Sequence, residues 1–211
     1  MDNTIKYTYT GKEFIMIYIF TDGAATIKGN IRYSASAIYV KAPMFDYVKT
    51  QFFPNGTNSI GELFAMRDAI IFADKLAEFY PNDVINIITD SEYVLKSITK
   101  WIYSWAKSGW KKHDGSPVKY SDVFDELYEG YLRKDIKRKN IKYYHITSHI
   151  KDYNKARRQF CYKNNVDCDK EDFIFLADNN EIVDALAVNC KETTDNTEYW
   201  TIKSHIKKAG L

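Results

Sequence analysis

The chain has 211 residues, 45% of them hydrophobic and 27% charged, which fits one well-cored globular domain and leaves little room for a second. The formal net charge of +2 is too small to indicate a nucleic-acid partner by itself, and no apolar stretch approaches the length of a membrane span. Three cysteines, an odd count, argue against a disulfide framework. We therefore expect an intracellular monomer, cytoplasmic or nuclear and not secreted, with no membrane partner.

The order of the predicted elements indicates an α/β fold. A polar lead-in at 1–13 precedes three strand-like runs separated by turn residues, which predict an antiparallel meander. The predicted strands are 14–21, 32–42, 47–53, 84–89 and 141–146. The predicted helices are 59–79, one that begins at Ser91, one capped by Ser121, and 180–190. Together they predict a mixed five-stranded sheet, three antiparallel strands and then two parallel ones, flanked by helices.

Four acidic residues stand at the ends of predicted strands or near the starts of predicted helices. Asp22 lies in TDG after the first strand, and Asp90 lies in TDS after the fourth. Glu62 ends the segment TNSIGE, and Asp184 lies in NEIVDALA. Carboxylates placed in this way can converge, but they cannot all stay ionised at close range without cations. The pattern therefore predicts hard divalent ions with oxygen ligands, and a pair of such ions suits displacement at a phosphodiester.

In these four motifs, in this order, the chain resembles type 1 ribonuclease H over roughly residues 15 to 190. The segment 98–111, ITKWIYSWAKSGWK, is similar to the basic handle of some members. The resemblance implies a ribonuclease H domain at 14–190 that cuts the RNA strand of an RNA–DNA hybrid by two-metal hydrolysis, leaving 5′-phosphate and 3′-hydroxyl ends. It implies that Asp22, Glu62, Asp90 and Asp184 are catalytic and bind two Mg²⁺ ions, with Mn²⁺ as the substitute.

Each acid also has an ordinary structural interpretation. Asp22 and Asp90 suit a turn or a helix N-cap. Glu62 completes a capping-box pattern that begins at Ser59, in which its carboxylate would bond back to the N-cap backbone. Asp184 could decorate the exposed face of the last helix. The resemblance favours metal binding for all four.

The resemblance also implies residues that act on the hybrid. His149 matches a mobile loop histidine that positions water or helps the product leave, and a plain surface histidine is the alternative. Asn58 matches an asparagine that contacts the RNA strand, where reading the 2′-hydroxyl distinguishes RNA from DNA, unless it is only a turn residue. Thr57 matches a neighbouring phosphate contact. Asn30 is the only counterpart of a minor-groove contact, in a turn that lacks the usual glycines and proline.

In the handle, tryptophans alternate with lysines, a combination that suits stacking on a nucleic-acid strand and neutralising its phosphates. Trp101 is expected to pack at the base of the handle. The expected substrate-binding residues are Trp105, Lys107, Trp110, Lys111 and Lys112.

The stretch between His149 and Asp184 is longer than is usual in the family, so residues 150–178 are interpreted as an insertion. Long loops are usually functional or disordered. Our hypothesis is a substrate-facing flap that residues 173–176 pack against the domain, and the alternative is an insertion folded away from the site. Residues 191–211 are expected to be a C-terminal tail. The basic run 133–142 is interpreted as a solvated helix end or as a nuclear address.

Two other functions remain open. A non-catalytic nucleic-acid-binding module would not need four intact acids. A junction resolvase of the same fold usually lacks both the TNxxxE segment and the handle. A proofreading-type exonuclease needs a second carboxylate two positions after Asp22, where this chain has Ala24.

Overall fold

The computed structural model describes residues 6–9 and 12–203, with side chains described from residue 16 onward. Within those residues the strands are β1 (Lys6–Tyr9), β2 (Lys12–Lys28), β3 (Ile31–Lys41), β4 (Phe45–Pro54), β5 (Val84–Thr89), β6 (Ile141–His145) and β7 (Thr197–Ile202). The helices are α1 (Asn58–Phe79), α2 (Glu92–Lys96), α3 (Ile102–Lys107), α4 (Ser121–Leu127), α5 (Tyr153–Asn164) and α6 (Lys170–Thr193). Two π-helical segments, Ser97–Trp101 and Tyr128–Leu132, join α2 to α3 and extend α4. None of the helices in this described part is long and apolar enough to cross a membrane.

The strands form one mixed sheet in the order β6-β5-β2-β3-β4-β7, with β1 paired to the start of β2. β2, β5 and β6 run parallel, whereas β2, β3, β4 and β7 alternate in direction. All five strands expected from the sequence are present, three antiparallel and then two parallel. The predicted α/β fold is therefore confirmed.

Two strands were not predicted. β1 lies in the expected lead-in, and β7 lies in the expected tail, whose first residues also complete α6. The β7 sequence, TEYWTI, is rich in β-branched and aromatic residues, which favour a strand. Trp200 of β7 packs on Tyr47 of β4 and Phe72 of α1, with ring centroids 4.4 and 5.6 Å away. This partner strand is distant in the sequence, so the pattern around β7 alone did not indicate the pairing.

β2 is longer than predicted, and this changes the setting of Asp22. The apolar pattern ended at Thr21, but the strand continues to Lys28 because β3 pairs with it along its whole second half. Asp22 lies opposite Ala37 of β3. It is therefore an internal residue of the central strand and not the first residue of a turn.

The sheet carries a core on each face. On one face, Ile17 and Ile19 of β2 pack with residues of α1, α3 and α4. On the other face, Phe20 and Ala24 of β2 pack with residues of α5 and α6. Side chains alternate along a strand, so Asp22 shares the second face with Phe20 and Ala24.

The insertion forms two helices instead of an open loop. It contains α5 and the first part of α6, which begins at Lys170 with Asp169 as its cap, well before the expected start at residue 180. Phe160 of α5 and Phe173 and Leu176 of α6 are buried in the second core. The expected packing of residues 173–176 against the domain is confirmed for Phe173 and Leu176.

Replacing Trp200 by Ala should lower the free energy of unfolding by about 1–2 kcal/mol, because the indole contacts hold β7 on the sheet. Trp200 is 54% exposed, and Ile202 on the same strand is 80% exposed. Ile202→Ala is therefore the matched control, with an expected change below about 0.5 kcal/mol. Urea unfolding followed by far-ultraviolet circular dichroism measures both variants. Equal losses would mean that the indole does not anchor β7.

Candidate active site

Two carboxylates are brought together by the pairing of β2 with β5. The two strands are parallel, and Thr21 lies opposite Thr89. The following residues are Asp22 and Asp90, so both carboxylates lie at the same level of the sheet. Asp22 is only 6% exposed.

The third carboxylate reaches this level because α1 begins in backbone contact with the sheet. A methyl group on Gly23 would overlap the backbone of Gly61 and Glu62. A methyl group on Gly61 would overlap the carbonyl oxygen of Ala35 on β3. Only glycine allows so close an approach of two backbones. Because Glu62 directly follows Gly61, this contact carries it to the central strand.

The Glu62 carboxylate is held by two side chains. Asn58 Nδ2 donates a hydrogen bond to Oε1 at 3.0 Å, and Ser91 Oγ donates one to Oε2 at 2.8 Å. Ser91 is also the N-cap of α2. The N-cap of α1 is Thr57, the residue before the helix starts, and not Ser59. The capping-box interpretation of Glu62 therefore does not agree with the structure.

Asp184 comes from the second half of α6. Its helical neighbours Val183 and Ala187 are fully buried in the second core. Asp184 itself is half-buried and lines the same cleft as Asp22. The interpretation of Asp184 as decoration on an exposed helix face does not agree with this position.

The four acids line one cleft of about 420 Å³. The other lining residues are Gly23, Ala24, Ala25, Asn58, Ser148, His149, Val188 and Lys191. His149 stands on the loop after β6 in the left-handed backbone region, with φ of 50°. The structure therefore brings together the four predicted metal ligands, Asn58 and His149.

The insertion contributes nothing to the lining of this cleft. Of the residues that the structure describes, none between 151 and 178 lies on the cleft wall. Its two helices pack on the α6 face of the sheet instead. The insertion therefore packs on the domain and does not line the cleft, and the hypothesis that its basic part contacts the hybrid stays a prediction.

The carboxylates repel one another in their buried setting. Burial raises the pKa of Asp22 from 3.8 to about 8, with further contributions from Asp90 and Asp184. The backbone N–H of Gly23, 2.6 Å from Asp22 Oδ1, opposes that shift. Burial also raises the pKa of Asp90 and of Glu62, and the charge of Asp90 adds to the shift at Glu62. The cleft therefore concentrates negative charge that only a cation or a proton can neutralise.

A hard divalent cation fits this set of donors, which consists of carboxylate oxygens. Among the described residues, no three acidic, histidine or cysteine side chains converge on one point as metal ligands. A bound ion would have to draw these side chains together.

Asp90 is supported from the β6 side. His145 Nε2 lies 3.1 Å from the backbone oxygen of Asp90. A hydrogen bond from Ser148 to the Asp90 carboxylate partly offsets the effect of burial on its pKa. Sequence reasoning missed Ser148, Ser91 and Lys191. The two serines adjoin residues that the motifs identify, and Lys191 lies two helical turns after Asp184 on the same face.

The ribonuclease H family model matches residues 15–191 of this chain. The chain belongs to the ribonuclease H family. A ribonuclease H of Photorhabdus luminescens is 34% identical over 120 residues, which cover 57% of this chain and 72% of that protein. Ribonuclease HI of Pseudomonas aeruginosa is 36% identical over 130 residues, 60% of this chain and 79% of that protein. A ribonuclease H of Tropheryma whipplei is 41% identical over 71 residues, and the match spans only 34% of this chain and 41% of that protein.

Solved structures with the ribonuclease H fold are similar at low identity. A foamy viral protease–reverse transcriptase has a TM-score of 0.56 and 18% identity, with 84% of this chain and 94% of that chain covered. LC9-RNase H1, described as a type 1 RNase H with the type 2 active-site motif, has a TM-score of 0.54 and 14% identity, with 90% and 78% covered. At these identities the likeness concerns the fold alone, and it agrees with the mixed sheet.

The three substrate-binding residues predicted outside the handle lie at different distances from the cleft. Asn58 is exposed and lines the cleft beside Glu62. Thr57 is half-buried, and its carbonyl oxygen accepts a hydrogen bond from Ser34 Oγ at 2.8 Å. Asn30 lies in the two-residue turn between β2 and β3, about 25 Å along the strand from Asp22. Asn30 is therefore not part of the cleft.

The handle tryptophans are arranged differently from the expectation. Trp105, expected to bind substrate, packs edge-on against Phe124 of α4 with ring centroids 5.2 Å apart. Trp110 packs against Tyr128 at 6.4 Å and donates from Nε1 to the Asp125 carboxylate at 3.1 Å. Trp101, expected to pack, contacts Tyr93 and Trp105 with ring centroids 6.0 and 5.8 Å apart, although it stays 38% exposed. The face of α3 that meets α4 carries Trp105, so the spacing of four between Trp101 and Trp105 was a poor guide to which ring is buried.

The lysines of the handle are exposed as expected. Lys107, Lys111 and Lys112 all lie on the surface at or beyond the end of α3. Lys111 pairs with Pro117 in a short antiparallel bridge, and Ser108 Oγ donates to the Lys111 carbonyl at 2.7 Å. The handle is therefore a helical segment and the loop that follows it, both of which present lysines, while Trp105 and Trp110 contact residues of α4 and the segment that extends it.

Gly61→Ala should lower the free energy of unfolding by about 1–3 kcal/mol, because the added methyl group meets backbone atoms of β3 that cannot move aside. It should also displace Glu62 from Asp22. Gly130→Ala is the matched control, since a methyl group there meets nothing within 4 Å in a helical segment, and it should stabilise by up to about 1 kcal/mol. Thermal unfolding measures both. A Gly61→Ala variant as stable as the Gly130→Ala variant would contradict the contact.

Proposed function

We propose that the chain cleaves the RNA strand of RNA–DNA hybrids by phosphodiester hydrolysis, leaving 5′-phosphate and 3′-hydroxyl ends. The observation that carries the proposal is the single cleft lined by Asp22, Glu62, Asp90 and Asp184, with Asn58 on its wall. Family membership supports the same reaction class. A foamy viral protease–reverse transcriptase of similar fold is described in complex with RNA/DNA hybrid, which agrees with the substrate class.

We infer that the four carboxylates bind two Mg²⁺ ions, with Mn²⁺ as the substitute. When bound, such ions would supply an activated water and stabilise the departing 3′-oxygen. The raised pKa of Asp22 supports this inference, because a site that disfavours its own ionised acids without cations gains most from binding them. Oxygen-only donors favour hard ions over zinc.

The remaining groups of the cleft orient the substrate. Asn58 donates one amide hydrogen to Glu62, which leaves the rest of the amide to contact the RNA strand and its 2′-hydroxyl. Ser91 holds the other oxygen of Glu62 and so keeps that carboxylate turned toward Asp90. His149, on its exposed loop, is placed to position water or assist product release. Thr57 and the handle lysines are proposed to contact phosphates.

Two alternatives are less well supported. A non-catalytic binding module has no use for four carboxylates in one cleft, since their repulsion costs stability. A junction resolvase would have no evident use for Asn58 at Glu62 or for the handle. All cleft residues come from one chain, so we infer that a monomer is sufficient. The intracellular location stays a prediction.

Asp22→Asn and Asp90→Asn should each lower the rate of hybrid cleavage by a factor of about 10² or more, because each removes a charged oxygen ligand. The measurement is single-turnover cleavage of a labelled hybrid with Mg²⁺ and with EDTA. Asp178→Asn is a matched control, an exposed acid of α6 outside the cleft, and should retain full activity. Full activity in Asp90→Asn, or equal cutting of hybrid and duplex DNA, would contradict the proposal.

Asp22→Asn should also change how stability depends on pH in the absence of metal. The pKa of Asp22 is raised from 3.8 to about 8, so the folded state loses stability as pH rises through that window. The variant lacks this loss, so its free energy of unfolding at pH 8 should exceed that of the parent by an amount on the order of 2 kcal/mol. Near pH 4 the free energies of unfolding of the two proteins should be equal. Urea unfolding in EDTA at both pH values measures it. A constant difference at the two values would be inconsistent with the buried repulsion.

Replacing Lys111 and Lys112 by Gln should weaken hybrid binding and make log K less steep against log salt by about 2 units, since each phosphate contact contributes roughly one. The control variant is Lys75→Gln with Lys170→Gln, which removes two exposed charges from α1 and α6. Fluorescence anisotropy of a labelled hybrid in EDTA measures both. The same salt slope in the two variants would mean that the handle does not bind phosphates.

A further inference from the structure

The basic run at 133–142, which the proposed nuclease site does not use, lines a second cavity. This cavity has a volume of about 670 Å³. Its lining residues are Thr99, Tyr103, Lys134, Lys137, Arg138, Lys139, Ile141, Lys142 and Tyr143. We call it the basic cavity. It contains five cationic side chains and no acidic one.

The cations of the basic cavity differ in whether they are already neutralised. Arg138 donates to Asp74 at 2.8 Å and to Glu78 at 3.1 Å, so its charge is balanced by α1. The four lysines form no ion pair with any residue in the described part of the chain. Their charges therefore remain available to a ligand.

Lys137 is the most informative of these lysines because it is half-buried. Its ammonium lies 5.5 Å from the centroid of the Tyr143 ring, a cation–π contact. Burial lowers the pKa of Lys137, and Tyr143 beneath it is also half-buried. A partly desolvated ammonium among like charges gains stability when an anion binds beside it.

The basic cavity is distinct from the acid-lined cleft. Ile141, on the cavity wall, begins β6, whose last residue, His145, lies beside Asp90. A strand rises about 3.3 Å per residue, so the two sites are about 13 Å apart along β6. Tyr103, also on the cavity wall, precedes the handle residue Lys107 by one helical turn. Lys100, exposed in the π-helical segment, directly follows Thr99 of the cavity wall.

We propose that the basic cavity binds the phosphodiester backbone of a single-stranded nucleic acid, independently of the nuclease site. Several flexible ammonium groups suit consecutive phosphates, and phosphate contacts carry no sequence information, so the proposed binding would not depend on sequence. A cavity of about 670 Å³ is large enough to hold a few linked phosphate groups of one strand. Thr99 and Tyr103 of the cavity wall belong to the handle segment 98–111, whose lysines are proposed to contact phosphates, and this favours nucleic acid over an acidic peptide.

The test uses the full chain in EDTA, so that no cleavage occurs, with a labelled single-stranded DNA of mixed sequence as the probe. All variants carry Lys111→Gln and Lys112→Gln, which reduces the handle contribution by the same amount in every comparison. In that background, Lys139→Gln with Lys142→Gln is compared with the control variant Lys75→Gln with Lys170→Gln. All four positions are exposed, so the variants should fold equally well.

Loss of the cavity pair should lower affinity at 50 mM salt at least tenfold, and should make log K less steep against log salt by about 1.4 units, or 0.7 per contact on a single strand. The control pair should change affinity less than twofold. Lys137→Met should lower the slope by a further 0.7 units or so. A lysine with only a packing role would alter thermal stability and leave the salt slope unchanged.

Three outcomes would overturn the proposal. The first is an equal loss of affinity in the cavity pair and the control pair, which would indicate only a general charge effect. The second is an unchanged salt slope in the cavity pair. The third is a poly-glutamate peptide that binds the parent as tightly as the DNA and loses affinity with the cavity pair, which would indicate an acidic protein partner instead. Because cleavage is not measured, failure of the nuclease proposal would leave this result unaffected.

Discussion

Gly23 and Gly61 lie in backbone contact at the centre of the molecule, and the arrangement of the site depends on that contact. β2 and β5 set Asp22 beside Asp90 by strand pairing alone. Glu62 is on a helix from the opposite face of the sheet, so it can join them only if the helix backbone touches the strand. A side chain larger than hydrogen at either glycine would fill that space. The glycine of TDG and the glycine before Glu62 are therefore both needed for the same close backbone contact.

The same convergence explains why the site is unstable by itself and suited to cations. Burial and neighbouring carboxylates raise the pKa of Asp22 to about 8, so near neutral pH the folded chain holds a partly protonated acid at its centre. Hydrogen bonds from Ser91 to Glu62 and from Ser148 to Asp90 act in the opposite direction and keep those two acids ionisable. The serine hydrogen bonds lower the free-energy cost of ionising Glu62 and Asp90. The repulsion that remains between the carboxylates favours metal binding.

The sequence was sufficient for the elements whose signals are local. Strand β5 and helix α1 followed from apolar spacing, and the four acids followed from motifs whose residues adjoin one another. The sequence was insufficient to predict features that depend on a partner far away in the chain. β2 continues past Asp22 because β3 pairs with it, and β7 forms because Trp200 meets Tyr47. Trp105 is turned toward Phe124 by the position of α4, which no spacing within α3 reveals.

The insertion has a consequence for the fourth carboxylate. The sequence predicts a helix at 180–190 with Asp184 near its start, where the first backbone N–H groups have no partner within the helix. The structure extends that helix back to Lys170, so Asp184 lies in its interior with intact backbone hydrogen bonds on both sides. Phe173 and Leu176 anchor the added turns in the second core, together with Phe160 of α5. The insertion therefore does not line the cleft, but it supplies the first turns of the helix that carries Asp184 and packs them into the second core.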